Sequence, residues 1–310
     1  MSDRNGNLIV TASPHIKGGA STNRIMLDVL IALVPAFAAS IYIFGPRSAL
    51  VVCVCAAACV LSEFVFEKAL KRPVTVGDFS ACVTGVLLGF NLPVTIPLWQ
   101  AVFGSAVAII LVKQLFGGLG KNFANPAITA RIIMLLAFSV TMTNWTLPDG
   151  VTGATPLTML AKGADGLPGL KDMLLGLHGG SLGETCSAAL MLGGVYLIAR
   201  RVISWHTPVV FIAVVFALTA ALGQDPVYHI LSGGVMLGAF FMATDYVTTP
   251  MTWPGKIIFG AGAGILTAVF RVYGNYPEGV SFAILFMNIL TPYTNRLTIR
   301  KVLGEKEKEK

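Results

Sequence analysis

The chain has 310 residues, 55% of them hydrophobic and only 12% charged, with a mean hydropathy of +0.76. Soluble domains carry about a quarter charged residues, so this composition excludes an ordinary soluble enzyme and reads as an integral membrane protein. The net charge of +7 comes with no basic–aromatic interleaving and no nucleic-acid motif, which removes nucleic acid as a partner and points instead to basic loops beside a bilayer.

The start, "MSDRNGNLIV", is polar and lacks an apolar stretch with a small-residue cleavage site. No removable signal peptide is expected, and the first membrane helix carries the targeting. Ten spans follow, at roughly 26–44, 49–66, 79–95, 97–115, 126–142, 186–203, 207–223, 227–243, 256–272 and 279–294. The fold class is therefore all-α integral membrane. Glycine and proline interrupt the pattern at "GFNLPVTIP" and "ATDYVTTPMTWPG", which predicts broken helices facing protein or a cavity.

Charge predicts the orientation. With the N-terminus cytoplasmic, seventeen of the 22 Lys and Arg fall in cytoplasmic segments, Lys113 and Lys256 among them. Four fall in outer loops (Arg47, Lys162, Lys171 and Arg271), and Arg131 lies within a span. This puts both termini inside. The "GEKEKEK" tail is a solvated cytoplasmic end, and the longest loop, about 143–185, faces outward.

The two halves echo each other. "TGVLLGFNLPVTIPLW" (84–99) resembles "GGVMLGAFFMATDYVTTPMTW" (233–253), with Gly85 and Gly89 matching Gly234 and Gly238. "FGSAVAIILVK" (103–113) resembles "FGAGAGILTAVFR" (259–271). Five spans per half force the second half to insert upside down, and such inverted repeats place binding sites near the midplane at paired broken helices. The expected organisation is a first repeat over 1–142, an outer loop over 143–185, a second repeat over 186–296 and a charged tail over 297–310. The repeat alone fits either a channel for small polar solutes or a scaffold that couples electron flow to an ion.

Several residues invite a chemical reading, each beside a plainer one. Cys55 and Cys59 share a helix face and could be half of a metal or iron–sulfur site completed by another chain, or small buried hydrophobes. Asp28, Glu63, Asp78 and Asp245 lie in or near spans, where a carboxylate is costly. Asp28 and Glu63 also fit helix ends, and Asp245 fits a cap at the break of the eighth span. Arg131 either pairs with one of these or snorkels to the inner face. "FGGLGKNFANPAITARI" (116–132) is a glycine-rich loop entering a helix. It suits either close packing or a phosphate, with Asn122 and Asn125 in reach of a flat polar ligand. "LHGGSLGET" (177–185) offers His178, Ser181 and Glu184. No GxSxG elbow accompanies them, and Ser181 and Glu184 also match a capping box for the sixth span. "TGAT" (152–155) reads by pattern as a turn, notable for its place in the longest loop, between the halves.

The order and spacing of "SPHIKGGASTNRIMLDVLIALVPA", "GGLGKNFANPA", "TGATPL", "HGGSLGET", "FMATDYVTTPMTWPGK" and "YPEGVSFAILFMNILTPY" resemble one family along nearly the whole chain. It is the family of RnfD, from the Rnf electron-transport complex, and its homologue NqrB of the sodium-pumping NADH:quinone oxidoreductase. The length fits the RnfD branch better. The resemblance implies two inverted five-helix repeats similar to urea transporters. It implies an FMN joined through its phosphate to the last threonine of the motif, here Thr155, with Thr152, Gly153 and Ala154 completing it. Thr152 stands where serine is common, which leaves the acceptor intact. A hydroxyl attacking a phosphoryl group needs an exposed, uncrowded site, so Gly153 and Ala154 are expected to leave clearance for a separate flavin transferase. A non-covalent riboflavin is a further cofactor of the NqrB branch. The implied partners are the other Rnf subunits, including the second flavin-bearing subunit and the small membrane subunits, in a complex that moves Na+ or H+. With no nucleotide fingerprint and no cysteine cluster, this chain is expected to be an intermediate electron carrier and part of the ion path, not the subunit that meets NAD or ferredoxin.

Overall fold

The structure is a computed structural model and describes residues 21–162, 167–274 and 278–299. The polar start up to "SPHIKGGA" and the charged tail from residue 300 lie outside the described residues.

Helix α1 (Thr22–Phe44) starts at Ser21, whose hydroxyl accepts from the Arg24 amide. It meets α2 (Pro46–Ala69) at Gly45, which takes the left-handed φ of +76°. Pro46 then opens α2, where its missing N–H costs nothing. After α3 (Ser80–Phe90) comes α4 (Leu98–Ala106), which runs on as a wider π-helical segment, Val107–Gln114. Helix α5 (Pro126–Ala137) is followed by the short α6 (Ser139–Met142). The long loop carries two six-residue helices, α7 (Pro156–Ala161) and α8 (Leu170–Leu175). The second half holds α9 (Ser187–Ala199), α10 (His206–Ala221), α11 (Pro226–Leu231) and α12 (Val235–Leu237). Helix α12 continues into a second π segment, Gly238–Met242. Helices α13 (Trp253–Tyr273) and α14 (Val280–Thr298) close the chain.

The protein is all-helical among the described residues, with one isolated antiparallel bridge, Thr146 to Thr152. Helices α1, α2 and α13 are long and apolar enough to cross a membrane, as the composition predicts. Other expected spans are divided. The third stops at Phe90 because the Asn91 side-chain amide donates to the Leu87 carbonyl at 2.6 Å and ends the helix. The fifth is split at Phe138, and the eighth into α11, α12 and the π segment.

Helix α2 packs on α3 and α4, and α10 packs on α13. Among the described residues, two helix pairs carry the main contacts between the halves: α1 lies on α9, and α5 on α14. Small residues set the close approaches, as in membrane bundles. A Cβ on Gly85 would stand 2.5 Å from the Ala56 Cα, and one on Gly260 would stand 2.8 Å from the Thr207 carbonyl. The glycines matched by sequence do different work, however. Gly89 faces Val52 of α2, whereas Gly234 faces Glu184 and Gly238 faces Val280 and Ile284.

The bundle has two distinct ends. At the loop end, Arg47 donates to the Val94 carbonyl at 2.9 Å, and the Leu182 and Gly183 amides bond to Leu92 and Phe90 at 3.1 and 2.9 Å. At the opposite end, Asn23 reaches the Gly77 carbonyl, Arg72 reaches that of Gln114, and Thr252 bonds Thr298.

Candidate functional site

The TGAT segment closes a tight turn. Leu147 donates to the Val151 carbonyl at 2.8 Å, and Gly153 to that of Trp145 at 3.0 Å. Gly150 supplies the positive φ the turn needs. Thr152 and Ala154 are exposed. Gly153 is not clearance for an enzyme: Leu147 fills the space beside it, and a Cβ there would lie 2.7 Å from Leu147 Cδ1. Thr155 is also not the exposed acceptor that was expected. It is 4% accessible and caps α7, its Oγ1 accepting from the Thr158 amide at 3.3 Å while Thr158 Oγ1 donates to the Thr155 carbonyl at 2.7 Å. Pro156 at the first helical position requires this arrangement, because the chain must turn from extended to helical there.

Helix α7 borders a cavity of about 430 Å³. Leu157, Thr158 and Leu160 line one side, His229, Arg271 and Tyr273 another. Neither ring nitrogen of His229 has a partner, and neither does Nε of Arg271, although both residues are buried. Buried polar atoms are nearly always bonded, so it is notable that all three unbonded nitrogens belong to side chains lining this cavity.

The rest of the loop is buried too. His178 Nδ1 contacts the Gly179 carbonyl at 3.0 Å, while Nε2 has no partner. Burial pushes the His178 pKa below the usual value and keeps the ring neutral. Ser181 and Glu184 do not form the expected capping box. Helix α9 begins at Ser187 without a side-chain cap, and Ser181 Oγ is unbonded. Glu184 turns instead to Arg131 Nη1 at 3.5 Å, a nitrogen that also donates to Ser281 at 2.6 Å, while Nη2 meets Glu278 at 2.7 Å. Arg131 therefore does not snorkel to the opposite end. It ties α5 to the loop and to the start of α14. Burial raises the Glu278 pKa to about 7, against the opposing pull of Arg131.

The chain matches the NQR2, RnfD, RnfE family over residues 9–304. It is 48% identical to the D subunit of the Na+-translocating ferredoxin:NAD+ oxidoreductase complex of Acetobacterium woodii, covering 96% of each chain. It is 42% identical to the D subunit of the proton-translocating ferredoxin:NAD+ oxidoreductase complex of Clostridium ljungdahlii, covering 93% of this chain and 94% of that one. It is 39% identical to the D subunit of the ion-translocating oxidoreductase complex of Stutzerimonas stutzeri, covering 94% of each. This chain belongs to the NQR2, RnfD, RnfE family.

The remaining candidates of this family member sit mostly at the opposite end. Asn125 caps α5, its Oδ1 accepting from Ala127 and Ile128. It fills the helix N-terminus that a phosphate would need. Asn122 donates to the Ala124 carbonyl at 3.1 Å. Both border a narrow cavity of about 90 Å³ with Asp245. That is below the roughly 300 Å³ of small-molecule pockets, so a riboflavin ring does not fit without rearrangement. Asp245 caps the turn after the second π segment, accepting from the Val247 amide at 3.2 Å and Thr248 Oγ1 at 3.0 Å. Asp78 accepts from the Ser80 amide at 2.8 Å. Asp28 is a link between helices, not a helix end: Tyr196 of α9 and Arg200, just past its end, bond it at 3.1 and 3.4 Å.

Glu63 lies six residues before the end of α2 and is fully buried. Lys113, expected in a basic loop, is 2% exposed and meets Glu63 at 2.6 Å. Ser80 and Gln114 complete the cluster at 2.6 and 2.7 Å. Cys55 and Cys59 are buried inside this chain, closed to a second one. Among the described residues no three His, Cys, Asp or Glu gather as for a metal.

Sequence reasoning missed Glu278 and His229, and read Lys113 and Arg271 as loop charges. One signal was available. Lys113 and Arg271 end the two matched segments, "FGSAVAIILVK" and "FGAGAGILTAVFR".

Proposed function

We propose that this chain is the D subunit of an ion-translocating ferredoxin:NAD+ oxidoreductase complex in the plasma membrane, and that it carries an FMN esterified to Thr155. Full-length similarity to proteins of that name favours the complex. The observation that carries the cofactor reading is the setting of Thr155. It opens a helix that walls a cavity large enough for a small-molecule ligand and lined by two residues that carry unbonded nitrogens.

The residues present fit the group: Thr155 offers the ester oxygen, and α7, α11 and α13 offer the walls. Bound there, the flavin supplies electron transfer, while the chain supplies placement and tuning. A six-residue helix is marginal by itself, so α7 gives a flavin transferase a way to reach the capped hydroxyl.

The proposal extends to architecture. Two inverted five-helix repeats, over 1–142 and 186–296 with the loop 143–185 between them, account for the paired contacts α1 on α9 and α5 on α14. Helix breaks also recur in both halves. Both termini are then cytoplasmic and the flavin loop faces outward. Asp28 and Glu63 are engaged by cations, which leaves Asp245, on its cavity, as the first candidate for the ion path. The partners are the remaining subunits of the complex, among them the second flavin-bearing subunit and the small membrane subunits.

The test is in-gel flavin fluorescence after denaturing electrophoresis of the chain made with its flavin transferase. A band in wild type that disappears in Thr155→Ala is expected. A wild type without the band, conducting small solutes in liposomes, would instead make this a channel without redox function.

A further inference from the structure

We infer that Arg271 and His229 form the wall that holds and tunes the flavin carried by Thr155, with Arg271 favouring its reduced state. The inference rests on the reading of Thr155 above and adds the residues that govern the cofactor once attached.

Arg271 stands in the last turn of α13 and is buried. Its Nη1 donates to the His229 carbonyl and its Nη2 to that of Ser232 at 3.0 Å. These carbonyls end α11, where the helix dipole favours a cation. The guanidinium fork is thus fixed, and Nε is left without a partner. No carboxylate lies within 4.0 Å of Arg271 among the described residues. Glu184 and Glu278, the nearby acids, are engaged by Arg131 at 3.5 and 2.7 Å. The His229 ring has no hydrogen-bond partner among the described residues.

An unbonded buried polar atom is costly, and three of them belong to two side chains that line this one cavity. Helix α7 and Arg271 converge on Gly233. A Cβ there would lie 2.7 Å from Leu157 Cδ1 and 3.0 Å from Arg271 Nη2, and the residue has a φ of +61° that disfavours any side chain. The cation therefore closes on the helix whose first turn bears the anchor.

A group tethered at Thr155 enters this cavity at high effective concentration, so the wall need not bind free flavin strongly. Nε of Arg271 can donate to a carbonyl or phosphate oxygen, and the His229 nitrogens can donate or accept according to tautomer. Reduction adds negative charge to a flavin, and a fixed cation beside it stabilises that charge.

The test compares wild type, Arg271→Gln and His229→Gln, each the full chain made with its flavin transferase. In-gel fluorescence reads attachment, and a spectroscopic redox titration reads the flavin itself. Both variants are expected to keep the fluorescent band. Arg271→Gln should make reduction at least tenfold less favourable, a shift of about 30 mV for a two-electron couple. His229→Gln should displace the visible absorption maximum. Bands present with wild-type potentials and spectra in both variants overturn the inference and leave the Thr155 reading standing. A wild type without a band removes the Thr155 reading itself. Should Arg271→Gln yield no folded protein, His229→Gln decides, because its ring holds no protein bond. A wild-type spectrum and potential there overturn the proposal.

Discussion

Lys113 and Arg271 end matched segments of the two halves, yet the protein treats them in opposite ways. Lys113, at the end away from the loop, has a carboxylate, a hydroxyl and a neighbouring amide around it, leaving one unbonded oxygen, Glu63 Oε2. Arg271, at the loop end, has only backbone carbonyls and keeps a free Nε beside an unbonded histidine and an open cavity. The contrast separates two uses of a buried charge. A nearly saturated cluster holds helices together, and an unsaturated one is built to receive something.

Substitutions can break this contrast, and the largest effect belongs to the saturated side. Lys113→Met strands the Glu63 carboxylate and should destabilise the detergent-solubilised chain by about 3–5 kcal/mol. Adding Glu63→Leu should restore most of it, since a well-packed apolar pair replaces a buried ion pair at little cost. Thermal unfolding of the single and double variants checks both, and a double variant as weak as the single would deny that the pair is saturated. Gly183→Ala comes next. Its Cβ would overlap the Phe90 ring, and overpacking of that kind costs about 1–3 kcal/mol.

At Thr155 the two uses come apart within one side chain. Thr155→Ala should cost only about 1 kcal/mol for the lost cap while abolishing the covalent flavin. Thr155→Ser should keep the cap and the flavin.

His178 sharpens the comparison through pH. Its folded pKa lies below the unfolded value of about 6.5, so its contribution is complete above that pH and is lost as pH falls through the folded pKa. Unfolding temperatures should decline more steeply below about pH 6.5 in wild type than in His178→Gln. Ser181→Ala gives the smallest effect. Its hydroxyl is buried and unbonded, so removal should change flavin-free stability by less than about 0.5 kcal/mol, or raise it. A large loss would show that Ser181 belongs to the saturated kind.

Hydropathy made the long helices legible, because α1, α2 and α13 are continuous apolar runs with caps where the pattern stops. It could not place Lys113. A lysine beside glycines reads locally as a loop charge, and its partner Glu63 is fifty residues away in the chain. The same locality misread Ser181 and Glu184. Their spacing fits a cap, but Glu184 instead forms an ion pair with Arg131, brought in by α5. The motif at 152–155 was legible as a turn next to a helix. The burial of Thr155 was not, because the helix it caps meets α13 only after the loop folds back.

The π segment Val107–Gln114 ends on Lys113 and its neighbour. A π turn holds one residue more than an α turn needs. Releasing it would slide everything beyond by one residue, about 1.5 Å along the axis and about 100° around it. Lys113 would then point away from Glu63. The ion pair therefore holds this segment in the one rotational setting that keeps Lys113 on Glu63.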